Sequence, residues 1–347
     1  MQRLNHLDLL KFFAICSVIL GHCTEQTTGN DFWTNPIWST IYSFHMPLFM
    51  MICGYFFASS LRRPFWEMLR LKSVQLLVPC VTLTAAIYGI EALTGFNPYP
   101  EFFARDFTSV ANVLWFLKCV LLCYITAYVA IKLLRSMLVA AIVTSLLFTL
   151  LPGADVVNFN FLLPMFWLGY ALRVNALWID EHRPALLTLS AAAFAIMLCF
   201  WSGLLTVYAV PIAIVDWHTL TFDPYNCGVA LLRFGIGAAG SLTFFLVAPA
   251  ADRLASTWRL YPTILAIGRM TLGIYVVQII VVECGVHALG IYASTAQSLV
   301  IAPLLAIAGI AICFVCVSLI RLSPAASLLL LGENRPKPSR QALLEES

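Results

Sequence analysis

The sequence predicts an all-α, polytopic integral membrane protein of about ten transmembrane helices, with both termini cytoplasmic. Composition is the first reason. Of 347 residues, 61% are hydrophobic and only 11% are charged, against about 25% charged in a soluble domain. The second is a succession of apolar segments, each near the roughly 20 residues that span a bilayer. The third is the placement of Lys and Arg. With the N-terminus inside, fifteen of the 20 fall in inner segments and one, Arg105, in an outer loop. That asymmetry orients a membrane chain. Two cytoplasmic termini require an even number of spans. These features exclude an ordinary cytosolic enzyme, a disordered chain and a disulfide-rich secreted domain. A net charge of +3 is too small to suggest nucleic acid.

The first segment, 8–23, reads as a retained helix rather than a cleaved signal, because Lys11 interrupts its apolar run. The second is 37–58. The third, 74–93, starts after Arg70-Leu71-Lys72, with Pro79 one or two turns in. The fourth is 110–131. The fifth, 137–151, is short enough to be tilted or partly re-entrant. The rest are 159–178, 185–207, 228–248, 264–283 and 298–320. Breaks carry Asn97-Pro98-Tyr99-Pro100, Pro152-Gly153 and Asp223-Pro224. Residues 1–322 form one transmembrane domain and 323–347 a loose cytoplasmic tail holding Pro324, Pro336 and Pro338. No internal repeat stands out, which weakens an inverted-repeat transporter. Most of the 11 cysteines lie in apolar runs. The Cys313-x-x-Cys316 pair has no neighbouring His or charge and reads as packing, not metal or redox chemistry.

Ionisable groups inside a membrane cost about 2.5–3.5 kcal/mol each on insertion scales, so each suggests function. Lys11 and His22 are 11 residues apart, about 20° beyond three full turns. They share one helix face, about 16 Å apart along the axis. Asp8 is three residues from Lys11 and can pair with it. The ordinary alternative is a snorkelling lysine and an interfacial histidine. His45, opening the second segment, lies on the same side as His22, so the two could handle protons together. Zinc would need further ligands; Asp216 and His218 are outer but nothing fixes them nearby, so no metal is expected. Lys118 follows Trp115-Phe116-Leu117. Glu91 and Glu283 lie at outer ends. Arg233 cannot be neutralised and should face a carboxylate, a water-filled cavity or an anionic substrate. The inner loop 61–79 is the most basic. It follows the charge asymmetry alone, or it binds a phosphate-bearing ligand through Arg70 and Lys72.

Leu7-Asp8-Leu9-Leu10-Lys11, ten residues and then His22 match the basic-x10-His pattern of the acyltransferase-3 family of membrane acyltransferases. Phe44-His45-Met46-Pro47-Leu48-Phe49 with Gly54-Tyr55-Phe56-Phe57 resembles its second-helix block. Trp115-Phe116-Leu117 and Gly268-Arg269 to Gly273-Ile274-Tyr275 are similar to later blocks. The His-Met-Pro form and Gln278 are similar to the fucose 4-O-acetylase-like branch. The match runs from residue 7 to about 280. Lys11 stands where many members have Arg, and Gln278 where many have His.

The resemblance implies transfer of an acyl group, by default acetyl, from acetyl-CoA to a hydroxyl of a surface or exported glycan or a lipid-linked sugar. The setting is a lipid membrane, expected to be a bacterial inner membrane, with no metal. It makes His22 the general base, with an acyl-histidine as the other route. Lys11 and Asp8 hold the donor side. The basic set Arg70, Lys72 and Arg269 fits the CoA phosphates. His45, Trp115, Lys118 and Arg233 are substrate-side candidates, the first three also oxyanion donors. A proton-coupled transporter or glycan flippase using His22, Lys11, Arg233 and Glu283 is the alternative.

Overall fold

The computed structural model describes residues 4–95, 114–151, 153, 156–217, 219 and 221–333. Arg3, Arg105, Glu101, Asp106, Asp155, His218, the start of the fourth predicted segment and the tail charges at 335–340 lie outside them, as does the side chain of Glu91. The described chain is helical apart from short turns and an irregular connection between Leu198 and Pro224, which holds a two-residue antiparallel hairpin pairing Val215 with Phe222 and Asp216 with Thr221.

Helix starts follow local sequence. The α2 helix (Pro36–Ser60) opens on Asn35, whose side chain accepts from the N–H groups of Ile37 and Trp38, with Pro36 at the first position. The α1 helix (Asn5–Thr28) runs five residues beyond the predicted segment. Its polar end stays helical because Thr24, Thr27 and Thr28 donate their hydroxyls to carbonyls four residues back. The α3 helix (Phe65–Thr94) begins well before the predicted 74 and takes Arg70 and Lys72 onto a helix. Pro79 is therefore mid-helix, not near its start.

Beyond α4 (Trp115–Leu134) come α5 (Met137–Leu150), α6 (Phe159–Val174), the short α7 (Ala176–Glu181), α8 (Arg183–Leu198) and α9 (Pro224–Ala255). The ninth predicted segment is broken into α10 (Tyr261–Arg269), α11 (Thr271–Gln278), a π-helical turn (Ile279–Cys284) and α12 (Gly285–Leu289). The α13 helix (Thr295–Ile320) follows. Among the described residues, seven helical spans are long and apolar enough to cross a membrane, which makes this a multi-pass helical membrane protein. The predicted segments 137–151, 159–178 and 185–207 appear as helices of 14, 16 and 16 residues. At 1.5 Å per residue these reach about 21–24 Å, short of a roughly 30 Å hydrocarbon core.

The tail is not loose where it begins. Ser323 caps an eight-residue helix, α14 (Pro324–Leu331), which folds back on α3. Thr82 donates to the Leu329 carbonyl, and Arg321 pairs with Glu333.

The core centres on α2, which packs against α1, α6 and α9. Its crossing with α6 is backbone-close: a Cβ on Gly54 would fall on the Phe166 carbonyl, and one on Gly169 on the Met51 carbonyl. Small residues let helices approach this way where lipid supplies no hydrophobic drive. The α1 helix lies against α10 and α13, so both of its ends face protein.

Candidate functional site

At one end of α1, Asp8 is shared by two cations. Its Oδ1 lies 2.6 Å from Lys11 Nζ and its Oδ2 3.1 Å from Arg269 Nε. The Lys11 pairing is local, the Arg269 pairing is not. It needs α10 pressed onto α1, which Gly268 allows: a Cβ there would fall on the Asp8 carbonyl. We expect Gly268→Ala to part these helices at a cost of about 1–3 kcal/mol, seen as a lower thermal midpoint of the detergent-purified protein. An unchanged midpoint would mean that α10 packs on α1 without this contact.

Around the triad lies a cavity of about 520 Å³ with Arg62, Arg173 and Tyr55 on its wall. Arg173 Nη1 donates to the Tyr55 hydroxyl at 3.3 Å. Four cations thus face one space against one carboxylate. Lys11, Phe56 and Arg269 also line a second, more apolar cavity of about 390 Å³. Lys72 reaches this one, donating to Gln75 Oε1 at 3.1 Å, its Nζ 4.5 Å from the centre of the Tyr124 ring. Arg70 does not join them. It is exposed and lines a separate cleft with Glu67, Gln75 and Glu333.

At the other end of α1, His22 Nδ1 lies 2.9 Å from Glu25 Oε2 and its Nε2 3.6 Å from Glu283 Oε1. Glu25 also accepts from Trp38 Nε1 at 2.8 Å and from the Tyr42 hydroxyl at 2.5 Å. Three donors fix this carboxylate, and the carboxylate fixes the ring. Glu283 is held in turn by Gln278 Nε2 at 2.9 Å. Gln278 and Glu283 are five residues apart, which on an α-helix would set them about 140° apart. The π-helical turn between them closes i to i+5 and brings them onto one side.

His45 is not paired with His22. Its Nδ1 donates to the Ile41 carbonyl at 2.8 Å, and it is only 3% exposed. A neutral imidazole so bonded presents Nε2 as an acceptor, which removes it as an oxyanion donor. Tyr42, 4.5 Å away between ring centroids, links it to the Glu25 cluster. Trp115 and Tyr208 rings meet at 6.2 Å near the same place. Tyr208 stands outside the spans, and burial and the Glu25 charge both push its phenol up. Lys118, half-buried one turn into α4, lines none of these cavities.

Among the described residues, Arg233 faces no carboxylate, and it lines none of these cavities. At 1% exposure it donates to backbone: Nε to the Leu205 carbonyl and Nη2 to that of Thr206 at 2.9 Å. Asn160 and Asn226 do the same for Ile212 and Pro211, each at 3.3 Å. Irregular backbone packed among membrane helices must find donors inside the protein, and these three side chains supply them.

The sequence reading therefore placed His22, Lys11 and Asp8 on one stripe but missed Glu25, Tyr42, Trp38, Arg62 and Arg173. Glu25 had a local signal, its three-residue spacing from His22. The others are brought in by tertiary packing.

A family model described as "Acyltransferase domain" matches residues 4–318. Nodulation protein NolL of Sinorhizobium fredii is 30% identical over 295 residues, 78% of this chain and 76% of that protein. Its namesake in Mesorhizobium japonicum is 31% identical over 124 residues, 34% of this chain and 33% of that protein. No solved structure matches.

Proposed function

The chain belongs to the acyltransferase-3 family of membrane acyltransferases, and from that premise we propose that it moves an acyl group, by default acetyl, from cytoplasmic acyl-CoA to a hydroxyl of an exported or lipid-linked glycan. The observation that carries this reading is the two-ended polar axis of α1. One end opens on a four-cation cavity, and an apolar cavity leads from there along the helix toward His22. The phosphates of a CoA suit Lys11, Arg62, Arg173 and Arg269, whose charges pair with phosphate oxygens. Its narrow pantetheine arm suits the apolar cavity. With the N-terminus inside, as the Lys and Arg asymmetry predicts, the cationic end faces the cytoplasm and His22 the outer side of a bacterial inner membrane.

Glu25 accepts a hydrogen bond from Nδ1–H of His22, which holds the tautomer whose Nε2 can accept a proton. The acceptor hydroxyl gives its proton to Nε2 as its oxygen attacks the thioester carbonyl. The C–S bond breaks, and the imidazolium returns the proton to the departing thiolate. A positioned base of this kind contributes about 10²–10⁴-fold. Glu283, 3.6 Å from Nε2, stabilises the imidazolium and orients the hydroxyl.

The test uses membranes containing the protein and acetyl-CoA labelled in the acetyl group. Label should appear in base-labile glycan ester with an equal yield of free CoA. A transporter or flippase using the same charges would move glycan without consuming acyl-CoA, and that result would replace this reading.

The cation assignment makes its own prediction. Arg62→Ala with Arg173→Ala should raise the apparent KM for acyl-CoA at least tenfold, since a single hydrogen bond to a charged group is worth about 1.5–3 kcal/mol. Arg70→Ala, in the separate cleft, should leave it within twofold (about 0.4 kcal/mol). The reverse pattern in initial-rate kinetics would move the phosphates to the Arg70 cleft.

A further inference from the structure

The apolar cavity has two unlike ends. Its cations, Lys11, Lys72 and Arg269, come from the parts of α1, α3 and α10 nearest the Asp8 triad. Its other end is contributed by Phe49 of α2, Phe116 at the start of α4 and Tyr275 of α11. The Phe49 and Phe116 rings meet edge-on at 6.0 Å, and Phe116 and Tyr275 at 5.8 Å. Phe116 is 5% exposed and Tyr275 9%. Tyr275 also lies within Coulomb range of Glu283 and Tyr208. The three rings are thus the partition between the cavity and the His22 cluster.

Resting on the donor reading above, we infer that Phe116, with Phe49 and Tyr275, sets the size and charge of the acyl group, admitting short neutral chains and rejecting long or carboxylate-bearing ones. A CoA threaded from the cationic end presents its thioester at this partition. Carbons beyond the acetyl methyl must then occupy space the rings already fill. Each added methylene in such a pocket is discriminated by about 10–200-fold. A succinyl group would fare worse for a second reason. Its carboxylate would reach the end of the cavity where no lining residue is cationic, and an unpaired buried carboxylate is strongly disfavoured. Phe116 is the residue to change, because it touches both other rings.

The experiment titrates purified full-length protein with CoA, acetyl-, propionyl-, butyryl- and succinyl-CoA. Binding is followed by tryptophan fluorescence, since Trp115 lies 6.0 Å from Phe116 between ring centroids. Wild type should bind butyryl- and succinyl-CoA at least tenfold more weakly than acetyl-CoA. Phe116→Ala should bring butyryl-CoA within about threefold of acetyl-CoA, as the removed ring leaves room for two methylenes, while succinyl-CoA stays weak. Equal affinities across the series in wild type, or an unchanged order in Phe116→Ala, would overturn the inference. Should Phe116→Ala lose CoA binding altogether, Phe49→Ala and Phe116→Leu carry the same prediction. If wild type binds no CoA species, the donor reading itself fails. Binding of CoA without any dependence on acyl length removes only the size selection.

Discussion

His22→Ala is expected to lower acyl transfer by about 10²–10⁴-fold, the usual worth of a positioned general base, while the protein still inserts and binds acyl-CoA. The effect should fall on kcat. His22 is far along α1 from the cations assigned to the donor, about 16 Å by helix rise, so donor KM should hardly move. Glu25→Gln provides the graded comparison. It keeps the shape beside Nδ1 and removes the charge that three donors now surround. An intermediate loss is expected there, and little further loss in the double variant, because residues acting as a unit are not additive. Full transfer in His22→Ala membranes would end the assignment of the base. Additive losses would separate Glu25 from the proton path.

Lys11→Ala is expected to have the second largest effect, and of a different kind. Lys11 borders both cavities and shares Asp8 with Arg269. Its loss leaves Arg269 as the one cation lining both cavities and leaves Asp8 with one partner instead of two. Apparent KM for acyl-CoA should rise at least tenfold, equivalent to about 1.4 kcal/mol, with a smaller change in kcat. Lys11→Arg keeps the charge and should stay within threefold (about 0.65 kcal/mol) of wild type. Equal behaviour of the alanine and arginine variants in initial-rate kinetics would assign the side chain to packing over Phe56, 5.6 Å away, rather than to the donor.

These two residues were legible in the sequence because α1 is regular. An 11-residue spacing fixes their common face wherever a helix forms, and a three-residue spacing brings Asp8 to Lys11. What sequence periodicity could not supply is anything that depends on a second chain segment. Asp8 and Arg269 are 261 positions apart, and the packing of α10 on α1, closest at Gly268, sets them together. Glu25 lies beyond the predicted first segment because the apolar pattern ends at Cys23. The threonines that follow bond back into the helix and carry it one turn further. Arg62 and Arg173 were visible only as members of a charge asymmetry, which says on which side a cation lies but not what it faces. Arg233 was rightly singled out as a buried cation, yet its partners are carbonyls of an irregular segment, for which side-chain identity leaves no trace. The break at 269–271 and the loosened turn at 279–284 carry no proline, so nothing in the segment 264–283 marks where the helix is interrupted.

That loosened turn has a consequence for how the protein can vary. A π-helical turn holds one residue more than the α-helical turn it replaces, with the chain on both sides still helical. Deleting any one residue between Ile279 and Val282 would let an ordinary helix close and would improve its local hydrogen bonding. It would also rotate everything beyond by about 100° and swing Glu283 away from His22 and Gln278. The number of residues in this stretch is therefore held more tightly than their identity. Apolar exchanges among Ile279, Ile280, Val281 and Val282 keep the site, whereas a gap of one residue dismantles it while leaving a better helix behind.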